Sequence, residues 1–214
     1  MAAFDLEEQE QLSQLKAWWE EYGKKLVALG ALVLLAVIGR SVWHNHRDGQ
    51  ASEASALYAS VLTAEGNPQQ AREAAGRILQ NYDSTAYAYL GALAAGKIQA
   101  RADDFQNAAS QLSWVVANAP DASVRDIARL RLAALQFDQG DADAALSTLS
   151  GTPVAELASG FADLRGDVLA AAGKLDEARD AYRKALEEIA GGSGAAPRMR
   201  EIIQVKLDAL GGSQ

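Results

Sequence analysis

From residue 51 onward apolar side chains return every third or fourth position, with alanine and leucine dominant and no long β-branched run. That period predicts amphipathic helices throughout. The pattern breaks at glycine and aspartate, and Pro68, Pro120, Pro153 and Pro197 all fall near the breaks, as residues lacking an amide proton should. The expected helices come in pairs: 51–64 with 68–81, 84–99 with 103–118, 122–138 with 141–149, and 155–171 with 174–189. GGSGAAP, residues 191–197, reads as a loop or flexible joint. Helical periodicity then returns over 198–210, where Met199, Ile202, Ile203, Leu207 and Leu210 could form one apolar stripe.

A different pattern precedes residue 51. In KKLVALGALVLLAVIGRSVWHNH, the fourteen residues from Leu26 to Gly39 carry no charge. A run of that length fits a buried helix as well as a membrane span. Its ends favour the span. Arg40 has a stem long enough to return its charge to the headgroups. Counting on to Trp43 gives eighteen residues, roughly 27 Å of helix against a bilayer core of about 30 Å. Trp18, Trp19 and Tyr22 precede the run and Trp43 closes it, as indole and phenol rings do at membrane–water boundaries. The first fifteen residues hold four acids and no base, unlike a cleaved signal peptide. The expected layout is a tail (1–23), an anchor with its flanks (24–46) and a repeat domain (47–214), with lipid contact over residues 26–43. Lys16, Lys24 and Lys25 outnumber Arg40 and Arg47 by one, which places the amino terminus in the cytoplasm by the positive-inside tendency.

The helical region repeats. AEGNPQQAREAAGRI, ARADDFQNAASQLSWV, FDQGDADAALSTL and AAGKLDEARDAYRKAL each place a small alanine five residues after a Gly or Asp turn. The anchors Gly66/Ala71, Asp103/Ala108, Gly140/Ala145 and Gly173/Ala178 are spaced by 37, 37 and 33 residues. A tetratricopeptide unit, two antiparallel helices and a tight turn, runs about 34. The last copy carries Gly166, Gly173, Ala178, Tyr182 and Ala185 at that motif's small and aromatic positions. The third has Leu149 for the aromatic and Thr152 for the second alanine. The first keeps little beyond Gly66 and Ala71. The fold expected is all-α: a single membrane helix, a tetratricopeptide-like α-solenoid and a C-terminal capping helix. A generic alanine-rich bundle is the alternative.

Charge and chemistry narrow the function. The chain has a net charge of -8, and no Lys/Arg cluster in residues 51–214 suggests a phosphate track, so nucleic acid is not an expected partner. Without cysteine, thiol catalysis, disulfides and cysteine-ligated zinc are excluded. His44 and His46, two residues apart, do not aim at one ion on a helix. No phosphate-loop, dinucleotide or zinc-protease motif occurs, and GGSG at 191–194 follows no strand. Ser110, Ser123 and Ser159 have no histidine partner in the repeats. The acid pairs Asp103/Asp104 and Asp141/Asp143 sit at helix starts, where free backbone amides favour them. Neither a cofactor nor a metal is expected, and binding remains.

The layout as a whole resembles the YfgM family, the ancillary subunit of the SecYEG translocon in gammaproteobacteria and their relatives. The resemblance rests on EEQEQLSQLKAWWEEYGKKL, VIGRSVWHNHRDGQ and ASEASALYASV. It implies a non-enzymatic scaffold of the inner membrane. As a partner of the SecYEG translocon, such a scaffold has periplasmic repeats that contact a membrane-anchored peptidyl-prolyl isomerase and secreted client proteins near it. A structural repeat subunit of another cell-envelope assembly is the alternative. In either case the partner groove lies on the first helix of each pair. By motif register its candidates are Ser60, Leu93, Lys97, Ile127, Leu130, Phe137, Asp163 and Asp167.

Overall fold

The computed structural model describes residues 2–191 and 197–211, and most of the joint expected at 191–197 lies outside them. Among the described residues there are nine helices and no strand: α1 (Ala2–Thr63), α2 (Pro68–Asn81), α3 (Ala86–Arg101), α4 (Phe105–Asn118), α5 (Ala122–Asp138), α6 (Ala142–Thr148), α7 (Ala155–Ala171), α8 (Leu175–Ala190) and α9 (Pro197–Ala209). The chain divides into two units, residues 1–50 and 51–214.

In the first unit the apolar run is exposed along its whole length, with Leu35 70% exposed. The helix is long and apolar enough to cross a membrane, and lipid is the medium that suits a helix apolar on every side. Polar–aromatic contacts flank the run. Lys25 Nζ lies 5.3 Å from the Tyr22 ring centre, and the Arg47 guanidinium 4.8 Å from that of Trp43. Tail, anchor and the lead into the first repeat, expected as separate segments, form one unbroken helix. No proline interrupts it, and the glycines at 23, 30, 39 and 49 take no left-handed backbone, so nothing terminates it before Thr63.

In the second unit the helices pair as the repeat predicts, most boundaries agreeing within two residues. One turn geometry recurs. Asp103 (φ 58°), Gly140 (φ 82°) and Gly173 (φ 75°) each occupy the left-handed region just past the first helix of a pair. In each case the following amide reaches back five residues: Asp104 to Gln99 (2.9 Å), Asp141 to Gln136 (2.9 Å) and Lys174 to Leu169 (2.9 Å). This Schellman turn satisfies helix-end carbonyls and reverses the chain. Asp103 is therefore a helix-ending residue and not a cap at a helix start. Asp141 does cap, accepting from the amide of Ala144. Gly66 lies in the first turn without a positive φ, and there Asn67 caps α2 through the amide of Gln70.

Close approach within each pair follows a small-to-large rule. A Cβ on Gly96 would lie 3.3 Å from Leu112 Cγ, and one on Gly166 only 2.4 Å from Tyr182 Cε1. Ala133, at the equivalent place in the third pair, shares a cluster with Leu149 and Phe161. Ala108, Ala145 and Ala178 are fully buried on the facing helices. The third pair departs from expectation only at Thr152. Its second helix ends at Thr148, only seven residues long, and Thr152 is exposed in the loop beyond, so it is not the second buried alanine's counterpart. At the end of the array α9 packs on α8. Ile203 and Leu207 are buried and Leu210 packs against them, but Met199 and Ile202 are 39% and 48% exposed. Ile202 is about 100° around the helix from Ile203, which breaks the five-residue stripe into a buried part and an outer part.

Two stability changes follow. Gly166→Ala should destabilise residues 51–214 by about 1–3 kcal/mol through the Tyr182 ring, and Gly96→Ala by less, in urea unfolding. The Gln99 side chain is fully buried, and its amide finds no hydrogen-bond partner among the described residues. The equivalent residue two repeats on is Leu169, also buried. Gln99→Leu should therefore raise stability by about 1 kcal/mol, because an unpaired buried amide is costly. A lowered urea midpoint would contradict this.

Candidate functional site

Of the first helices expected to line the groove, α3 packs on α5 and α5 on α7. Its predicted residues fare differently. Ser60 is half-buried and donates to the carbonyl of Ala56 within its own helix at 3.1 Å. Leu93 is only 7% exposed and belongs to the apolar cluster of α3, α4 and α5. Ile127 packs against that same cluster, and Leu130 against the cluster of Ala133, Leu149 and Phe161. These three are mainly core. Lys97 is exposed. Phe137 is half-buried near the end of α5 and stands outside the four apolar clusters.

Asp163 and Asp167 are already occupied. Lys206 of α9 donates to both, at 2.8 Å each, and the Tyr182 hydroxyl donates to Asp167 at 2.8 Å. Lys206 also lies 5.7 Å from the Tyr182 ring centre. The two aspartates are one helical turn apart on α7, so a single ammonium bridges them. Two carboxylates against one ammonium leave a net negative cluster. Burial pushes the Asp163 carboxyl up, and Asp167 adds to this, against the opposing pull of Lys206. Burial alone would lower Lys206, but its bonds to Asp163 and Asp167 outweigh this and hold its ammonium above the ordinary value. Burial and the bond to Asp167 push the Tyr182 phenol up as well. The steering acids expected in the groove thus serve to fasten the cap.

A second polar cluster was not visible in the sequence. Asp126, 7% exposed, accepts from Arg129 Nη1 at 2.7 Å and from the Val154 amide at 2.8 Å. Arg129 also donates to the carbonyls of Thr148 and Ser150 and lies 5.0 Å from the Phe161 ring centre. Together they pin the loop that follows the short α6. The loop, α7 and α8 border a cleft of about 390 Å³ with Leu149, Phe161 and Ala162 in its walls and Arg165 and Lys184 among its charged residues. Among the described residues no cluster of three or more His, Asp or Glu is placed to hold a metal.

A family model described as a tetratricopeptide repeat-like domain matches residues 16–212. The ancillary SecYEG translocon subunit of Neisseria gonorrhoeae is 33% identical over 211 residues, covering 97% of this chain and 99% of that protein. Its namesake in Aggregatibacter actinomycetemcomitans is 30% identical over 209 residues, covering 97% and 100%. That of Escherichia coli is 30% identical over 205 residues, covering 95% and 96%. The chain belongs to the ancillary SecYEG translocon subunit family. Its likeness to the family is end to end, so the apolar run, the helix pairs and the cap are compared together and not the repeats alone. No solved structure matches it.

The Lys206 cluster sets an alkaline limit. Groups whose pKa is raised on folding contribute stability that is intact below their unfolded values, about 10 for Tyr and 10.4 for Lys, and that falls as pH rises past them. The parent should therefore lose more stability between about pH 9 and 11 than a Tyr182→Phe, Lys206→Met variant. Urea unfolding at the two pH values measures the difference, and equal losses would remove the cluster from the explanation. At neutral pH, Lys206→Met alone should cost about 1.5–3 kcal/mol, the range for hydrogen bonds to charged groups.

Proposed function

We propose that this chain is a non-catalytic, single-pass scaffold of the bacterial inner membrane that works beside the SecYEG translocon. Its amino terminus is cytoplasmic and its repeat array periplasmic. The array receives a membrane-anchored peptidyl-prolyl isomerase and secreted clients near the site of translocation. The observation that carries the reading is the joining, in one chain related end to end to translocon subunits, of an exposed apolar helix and a capped repeat array. The helix confines the array to the membrane surface, which raises its effective concentration toward partners in the same bilayer. The inner helix face supplies protein-sized contact surface, with Phe137 as the aromatic anchor.

Two measurements test this. Purification of the full chain in mild detergent should recover the translocon and the isomerase. Phe137→Ala should reduce isomerase recovery without altering helical content. Recovery of a different envelope assembly, and not the translocon, would replace the reading. Protease added to spheroplasts should digest the repeats and spare the tail. Repeats protected until the membrane is lysed would reverse the orientation.

A further inference from the structure

The inner helix face differs in charge along its length. At its carboxyl-terminal end Asp163 and Asp167 are bridged by Lys206, so α9 closes that part. Leu93 and Lys97 occupy the same repeat positions on α3, two units earlier; Leu93 is buried there, and only Lys97 is exposed. Lys97 is exposed and makes no ion pair among the described residues. Arg131, exposed on α5, reaches across to α3, where its Nη1 lies 3.4 Å from the carbonyl oxygen of Leu93. Leu93 and Lys97 are one helical turn apart, so the two cations share one patch.

Neutralising groups are scarce there. Neither α3 nor α4 contains an acidic residue. Of the two in α5, Asp126 is bound by Arg129 and by the Val154 amide. That leaves Asp138 at the far end of the helix. Apolar surface accompanies the charge. Leu90, one turn before Leu93 on the same stripe of α3, is 41% exposed.

Resting on the groove reading above, we infer that the α3–α5 part of this face binds an acidic, leucine-bearing polypeptide segment. Its carboxylates pair with Lys97 and Arg131, and its apolar side chains cover Leu90. Recognition of this kind discriminates by charge and weakens with salt. The acids that sequence reasoning placed in the groove would have selected a basic partner. With those acids bound to α9, the selection is the opposite.

The test uses the full chain in phosphatidylcholine nanodiscs and two fluorescent peptides of equal length and identical leucine pattern. One carries glutamate at the intervening positions and the other lysine. Anisotropy should show the glutamate peptide binding at least about tenfold more tightly, with an advantage that shrinks as salt rises from about 0.05 to 0.5 M. In a Lys97→Glu, Arg131→Glu variant the preference should invert. Circular dichroism checks its helical content. If that variant misfolds, Lys97→Gln and Arg131→Gln singly should each weaken glutamate-peptide binding by about threefold. Equal binding of both peptides, binding of neither, or an acidic preference that survives charge reversal would overturn the inference. If any of these occurs while the full chain still recovers the translocon, the scaffold reading stands and only the chemistry of the groove falls.

Discussion

The array depends on how closely the two helices of a pair can approach. In each of the last three pairs a glycine or alanine on the first helix faces a bulky side chain on the second: Gly96 with Leu112, Ala133 with Leu149, Gly166 with Tyr182. Removing one methyl group from the first helix lets a larger side chain lie flat against its backbone, and the interior fills without a void. The turn has to deliver the second helix to that contact. It does so through a left-handed residue and a backbone bond reaching back five positions. Where both conditions hold, the second helix is set against the first so that one pair can stack on the next.

These conditions are local and periodic, which is why the sequence displayed them. Gly140/Ala145 and Gly173/Ala178 announce turn and contact within five residues. The aspartate at 103 was legible as a turn residue but not as a left-handed one, because an Asp before a helix more often caps it. What the sequence did not display are contacts without a period. Lys206 meets Asp163 and Asp167 across roughly forty residues, and Arg129 meets the Ser150 carbonyl across a loop. A charge on a helix looks the same whether solvent or another helix receives it. For that reason the groove was the least readable part. Five of its eight predicted residues, Leu93, Ile127, Leu130, Asp163 and Asp167, pack in the core or against the cap.

The cap shows how an array of this kind ends. A last pair left bare would expose the apolar face meant for its neighbour. Here α9 covers that face with Ile203 and Leu207 and turns Glu201, Gln204 and Asp208 outward. Its lysine neutralises part of the carboxylate pair that burial would otherwise make costly. The same helix that ends the stack also ties up the two carboxylates of the last inner helix.

The short α6 has a mechanical consequence. In a stack, each unit is held only by its two neighbours, and its stability is its own plus those two interfaces. With seven residues where the preceding second helix has fourteen, the third pair presents the smaller interface and is the weakest link of the chain. Opening there would part α7–α9 from the helices before them, each side retaining its own apolar clusters. Arg129 spans that link, tied to Asp126 on its own helix and to the loop on the far side of α6. It acts as a stitch across the seam where the fold would otherwise tear first.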